Sequence, residues 1–136
     1  MHDLGCVGFK GFMSFATEAY PRISDGYLVE GMRTAASFGG LIALHAENAE
    51  VADFGCKYYS RIHCNDEACF DEARPWWTEY DAIQRAVLFA KMTGPDWKSV
   101  ILQSARAWNL CKMQRKKGSL FILRHVPITL YSTGMC

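Results

Sequence analysis

No apolar run in this 136-residue chain approaches the ~18 residues that a membrane span requires. Neither sign of charge dominates, the formal net charge being +1, which argues against nucleic acid or an anionic membrane as the main partner. The opening Met1-His2-Asp3 leads straight into strand-like sequence and has none of the features of a secretory leader, so a cytoplasmic location is expected. No two of the six cysteines have C-x2-C spacing, and no segment repeats at a fixed period. Without a leader, those cysteines read as reduced thiols rather than as a disulfide scaffold. A zinc cluster built from Cys56, His63, Cys64 and Cys69 is the alternative reading.

What is present is enough for one domain, since half of the chain is apolar. Two short apolar runs stand out, Val7–Met13 (VGFKGFM) and Leu41–Asn48 (LIALHAEN). Runs of this length beside glycine or turn residues read as buried strands. Between them, Ser24 can cap a helix that places Leu28, Met32 and Ala35 on one face and stops at Gly39-Gly40. The result is strand–helix–strand, the unit of a parallel sheet, and the fully apolar Leu41–Leu44 suggests a sheet covered on both faces. A second helix is expected over Asn48–Ile62, with Val51, Phe54 and Tyr58 on one side. Residues 63–75 read as a loop. Thr78-x-x-Asp81 resembles a capping box opening a third helix, with Ile83, Val87 and Ala90 inward and Thr93-Gly94 closing it.

Each strand carries one residue chemically out of place, Lys10 in the first and His45 at the end of the second. A lysine in an apolar strand is costly unless neutral, paired or modified. A neutral amine can add carbon dioxide to give a carbamate, an anion able to bridge two divalent cations as a carboxylate does. An imidazole is a standard ligand for zinc and similar metals. Sites in parallel α/β folds gather at the carboxyl ends of strands. Taken one at a time, a snorkelling or paired lysine and a hydrogen-bonded core histidine explain the same residues.

Three ordered blocks add to this reading: VGFKGFM, then LVEGM followed by GGLIALHAEN, then RPWWTEYDAIQRAVLFAKMTG. Over residues 4–94 they resemble the cyclic amidohydrolases, the allantoinase branch most of all, with dihydropyrimidinase/hydantoinase and dihydroorotase as relatives. The resemblance implies a (β/α)8 barrel in which two divalent metals, zinc foremost, activate a water that opens a cyclic amide. It assigns Lys10 as the carboxylated lysine bridging the metals and His45 as a ligand of one. A small cyclic amide (a ureide such as allantoin) is the implied substrate, and homo-oligomers are usual.

The departures from that pattern bound what is expected of this chain. The family's H-x-H pair is absent, and no histidine follows Thr93-Gly94 within a few residues. The family's metal-bound aspartate falls later than this sequence extends. With a barrel needing about 250 residues, the expectation is an α/β slice of central βαβα units, not a complete barrel, with little or no catalysis alone. A non-catalytic partner of a full-length amidohydrolase is the alternative.

Charge divides the chain at the same place where the resemblance ends. Residues 1–94 hold 8 Lys/Arg against 13 Asp/Glu, and residues 95–136 hold 7 against the single Asp96. In a reading frame displaced by one base, the codons of PDWKSVI from Pro95 permit Arg-Leu-Glu-Ile/Val, then one of Cys, Ser, Gly or Arg, then one of His, Asn, Asp or Tyr. In the same frame RHVPITL from Arg124 permits Thr-Cys-Pro-His-Tyr-Leu. Both resemble later family blocks in the expected order. Residues 1–94 therefore read as the amidohydrolase segment, and residues 95–136 as a frame-displaced or unrelated tail. On that reading the Lys112–Lys117 basic run and a Trp97–Arg115 amphipathic helix carry no function.

Overall fold

The computed structural model describes residues 4–6, 8–64 and 66–93 (Glu67 by its backbone alone), together with the backbone of 100–102 and 121–123. The elements run β1 (Gly8–Phe12), α1 (Asp25–Ser37), β2 (Leu41–His45), α2 (Ala49–Arg61), α3 (Glu67–Ala73), α4 (Trp76–Thr93), β3 (Val100–Leu102) and β4 (Phe121–Leu123). The four strands form one parallel sheet in sequence order. It is open, as a slice of a barrel would be and a complete barrel would not. The expected tail helix over Trp97–Arg115 lies outside the described residues.

Helix α1 ends as its glycines dictate. Gly39 sits at φ +68°, where a side chain would be strained. Its N–H reaches the Ala36 carbonyl while that of Gly40 reaches Ala35, so two carbonyls of the last turn are satisfied. This turn delivers the chain directly into β2. On β2 the burial alternates, with Ile42 and Leu44 buried and Leu41, Ala43 and His45 partly open. Leu28, Met32 and Ala35 of α1 pack with Ile42 and Leu44, and Ala82, Ile83, Ala86, Val87 and Ala90 of α4 complete this core. Each fully buried Leu, Ile or Met contributes about 1.5–3 kcal/mol.

Among the described residues, helices cover the Ile42–Leu44 face of the sheet, and on the other face Leu41, Ala43 and His45 are partly open. Periodicity fixes which residues share a face but says nothing about how many faces have a cover.

Three expectations change. Helix α2 buries Ala49, Ala52 and Gly55, whereas Phe54 and Tyr58 are exposed. The small residues win because α3 lies against them: a Cβ on Gly55 would sit 2.3 Å from the Ala73 carbonyl oxygen. Residues 63–75, read as loop, contain α3, which Asp66 starts by accepting the Cys69 N–H at 2.8 Å. Helix α4 begins at Trp76 directly after Pro75, and Thr78 is buried within its first turn. The Thr78 hydroxyl donates back to the Pro75 carbonyl at 2.8 Å instead of capping.

Candidate metal-binding face

The register of the first strand pair sets the site. Lys10 lies beside Ala43, and Phe12 beside His45. Because side chains alternate along a strand, Lys10, Phe12, Ala43 and His45 share one face, opposite Ile42 and Leu44. Lys10 and His45 are thus diagonal neighbours across adjacent parallel strands, on the face that no described helix covers. Phe12 touches both: the Lys10 Nζ is 5.2 Å from its ring centroid, and the His45 ring is 6.0 Å away.

By surface area the Lys10 side chain remains open to solvent, which corrects its expected place inside a buried strand. Even so, enough protein surrounds the amine for burial to lower its pKa from the ordinary lysine range. A lowered pKa enlarges the neutral, nucleophilic fraction at a given pH.

His45 is held by a cluster that sequence reasoning did not anticipate. Its Nε2 lies 3.4 Å from Oε2 of Glu47, and the same oxygen accepts from Ser14 Oγ at 2.9 Å and Arg74 Nη1 at 2.8 Å. Glu47 is buried, at 9% exposure. Burial alone would push its carboxyl up; the His45 hydrogen bond, the Arg74 and His45 charges and the Ser14 hydroxyl reverse that and bring it down to about 2. A histidine whose Nε2 faces a carboxylate keeps its Nδ1 lone pair for another partner.

The next residue extends the network. Asn48 caps α2 by accepting the Val51 N–H. Its amide donates to Asp81 Oδ2 at 2.7 Å, and Arg85 reaches both Asp81 and Asp25. Glu47 is therefore anchored to Ser14 and Arg74, and Asn48 to α4. The one available signal was Glu47 itself, an acid directly after an apolar strand, which needs a cationic partner if buried. Arg74, 27 positions away, could not be chosen from spacing.

The cysteine expectations divide. Cys64 and Cys69 form a disulfide with their Cα atoms 6.0 Å apart, so the reading of six reduced thiols is corrected for this pair. Asp66 lies with them, one ligand atom from each of the three residues falling within 4.8 Å of the others. Cys56 and His63 are not part of this group. His63 instead occupies the left-handed region at φ 53° and ends α2. Its N–H donates to the Ser60 carbonyl and that of Cys64 to the Tyr59 carbonyl. Among the described residues no helix is long and apolar enough to cross a membrane.

No family model matches the chain. An allantoinase of Deinococcus radiodurans is 34% identical over 133 residues, covering 97% of this chain and 30% of that protein. An L-hydantoinase of Paenarthrobacter aurescens is 36% identical over 95 residues, covering 69% of this chain and 21% of that protein. Among solved structures, the L-hydantoinase (dihydropyrimidinase) from Arthrobacter aurescens superposes with a TM-score of 0.82 at 29% identity, covering 90% of this chain and 28% of that one. A D-hydantoinase from a Bacillus species shares the fold, with a TM-score of 0.80 at 23% identity over 93% of this chain and 27% of that one. The chain thus spans under a third of the length of these relatives. Sequence and fold together place it in the cyclic amidohydrolase family, close to the allantoinases and hydantoinases.

Proposed function

We propose that residues 1–94 are a central segment of a metal-dependent cyclic amidohydrolase barrel, and that the sheet face bearing Lys10 and His45 is its metal-binding face. The single observation carrying this reading is that Lys10 and His45 stand diagonally on the same face of two paired parallel strands. The donor set suits divalent metal: an imidazole whose Nε2 faces a carboxylate, and an amine with a lowered pKa that can take up carbon dioxide. Lys10, as its carbamate, would bridge two ions, zinc foremost, and His45 would hold one of them. When bound, such metals supply a water activated near neutral pH and polarise an amide carbonyl. Glu47, itself tied to Ser14 and Arg74, would orient His45.

The substrate in this reading is a ring amide, with allantoin opened to allantoate as the specific case, which the allantoinase relative supports. With 30% or less of those relatives' length present, the chain alone is expected to show little or no turnover. Purified chain assayed on allantoin and hydantoin with zinc, manganese or cobalt plus bicarbonate tests this. Turnover comparable to a full-length enzyme would contradict it.

The proposed boundary at residues 94/95 rests on the charge reversal and on the displaced-frame blocks. The 97% coverage of the allantoinase alignment weighs on the other side, as does the pairing of β3 and β4 into the sheet. Sequencing the DNA across the codons of Gly94 and Pro95 decides it, an uninterrupted frame shared by homologues ruling out a frame change.

One observation favours a second reading, a non-catalytic partner of a full-length amidohydrolase. Strand β1 is the end strand of the described sheet, and an end strand offers unpaired backbone to another chain. Co-purification at fixed stoichiometry supports this reading, and a monomer that ignores the full-length enzyme counts against it.

A further inference from the structure

We infer that Cys64, Asp66 and Cys69 form a redox-gated site for one soft divalent cation, separate from the Lys10–His45 face. Cys64 and Asp66 lie in the short connection between α2 and α3 and Cys69 on the first turn of α3, so both helix ends fix their positions. The turn that ends α2 at His63 places Cys64, whose N–H is held by the Tyr59 carbonyl at 3.0 Å. Asp66 then starts α3, its Oδ1 taking the Cys69 N–H at 2.8 Å, so Cys69 stands on the first turn facing back towards Cys64. Cys69 is buried, Cys64 half-buried and Asp66 exposed, a gradient that leaves one side of the cluster open to solvent.

Two thiolates and a carboxylate make a three-ligand set with a fourth position for water, as zinc and cadmium accept. The cap on α3 uses one lone pair of the Asp66 carboxylate and leaves others for a cation. The disulfide is the closed form of the site. A small-molecule thiol reductant opens it: the S–S bond breaks, both cysteines become thiols, and two reductant molecules leave joined as their own disulfide. The cation then displaces the two thiol protons and binds both thiolates. Exchange of the apo pair with a small-molecule disulfide restores the S–S bond, releases that molecule's two halves as thiols and removes the two sulfur ligands together, so binding depends on redox state without any other change in the chain.

The test is cadmium and zinc titration of the full chain, reduced and oxidised, following thiolate-to-cadmium charge-transfer absorption and bound metal after gel filtration. Three variants accompany it: Cys64→Ser; Asp66→Asn, which keeps the helix cap because asparagine caps as well as aspartate; and a background with Cys6, Cys56, Cys111 and Cys136 all changed to Ser. The expected result is one thiolate-ligated ion per reduced chain and none per oxidised chain. Binding is retained in the four-serine background, weakened in Asp66→Asn and lost in Cys64→Ser. Thiolate-ligated metal that persists in Cys64→Ser, or that disappears in the four-serine background, overturns the inference. So does equal binding by the oxidised chain. Changing Lys10 and His45 to Ala leaves the thiolate signal intact, which separates this outcome from that of the amidohydrolase reading.

Discussion

His45 and Glu47, two positions apart at the end of β2, face each other with Nε2 and Oε2 separated by 3.4 Å. Glu47 also holds Ser14 and Arg74, so one carboxylate ties the segment after β1, the end of β2 and the residue before Pro75. Removing it leaves the largely buried Arg74 guanidinium without its counter-ion. Glu47→Ala is expected to destabilise the chain by about 3–5 kcal/mol, read from urea unfolding at neutral pH. A loss below about 1 kcal/mol would show that the cluster organises nothing.

The same carboxyl makes stability depend on pH. Its folded pKa of about 2 lies below the ordinary 4.5, so its stabilising contribution is complete above the unfolded value. That contribution is lost as pH falls through the window between them. The full shift corresponds to about 3 kcal/mol. Urea midpoints should fall between about pH 4.5 and 2 in the parent chain and change much less in Glu47→Gln. Parallel curves for the two proteins would assign the acid sensitivity to other groups.

The packing of β2 on α1 and α4 gives a prediction about the opposite face of the sheet. Leu44 is fully buried, and Leu44→Ala should cost about 2–5 kcal/mol through lost contacts and the cavity left behind. Thermal and urea unfolding measure it. A near-neutral substitution would mean that the helices do not close on that face.

Helix α2 offers a contrast within one element. Gly55→Ala drives a methyl into the Ala73 backbone and is expected to cost about 1–3 kcal/mol. Phe54→Ala, at a side chain 71% exposed, should stay within about 0.5 kcal/mol. The reverse order in unfolding experiments would put the aromatic side of α2 inward after all.

That contrast also shows where sequence was enough. The strand–helix–strand unit, the inward face of α1 and the end of α1 at Gly39 were legible because local pattern and local chemistry decide them. The face of α2 was not, because Ala49, Ala52 and Gly55 bury little area individually; their role emerges only once α3 lies across them. Helix α3 escaped notice because its acidic composition resembles a loop and its start depends on one cap, Asp66. In the candidate site, Lys10 and His45 stood out as residues out of place in apolar runs. Ser14 and Arg74 did not, since each is ordinary where it stands and acquires a role only through a partner 33 or 27 positions away.

Carbon-13 NMR of the chain in labelled bicarbonate, with and without excess zinc, bears most directly on the metal-binding face. A carbamate resonance is expected that grows with zinc, falls in His45→Asn and is absent from Lys10→Arg. No zinc-dependent resonance, or one that survives Lys10→Arg, would contradict Lys10 and His45 as partners in holding metal.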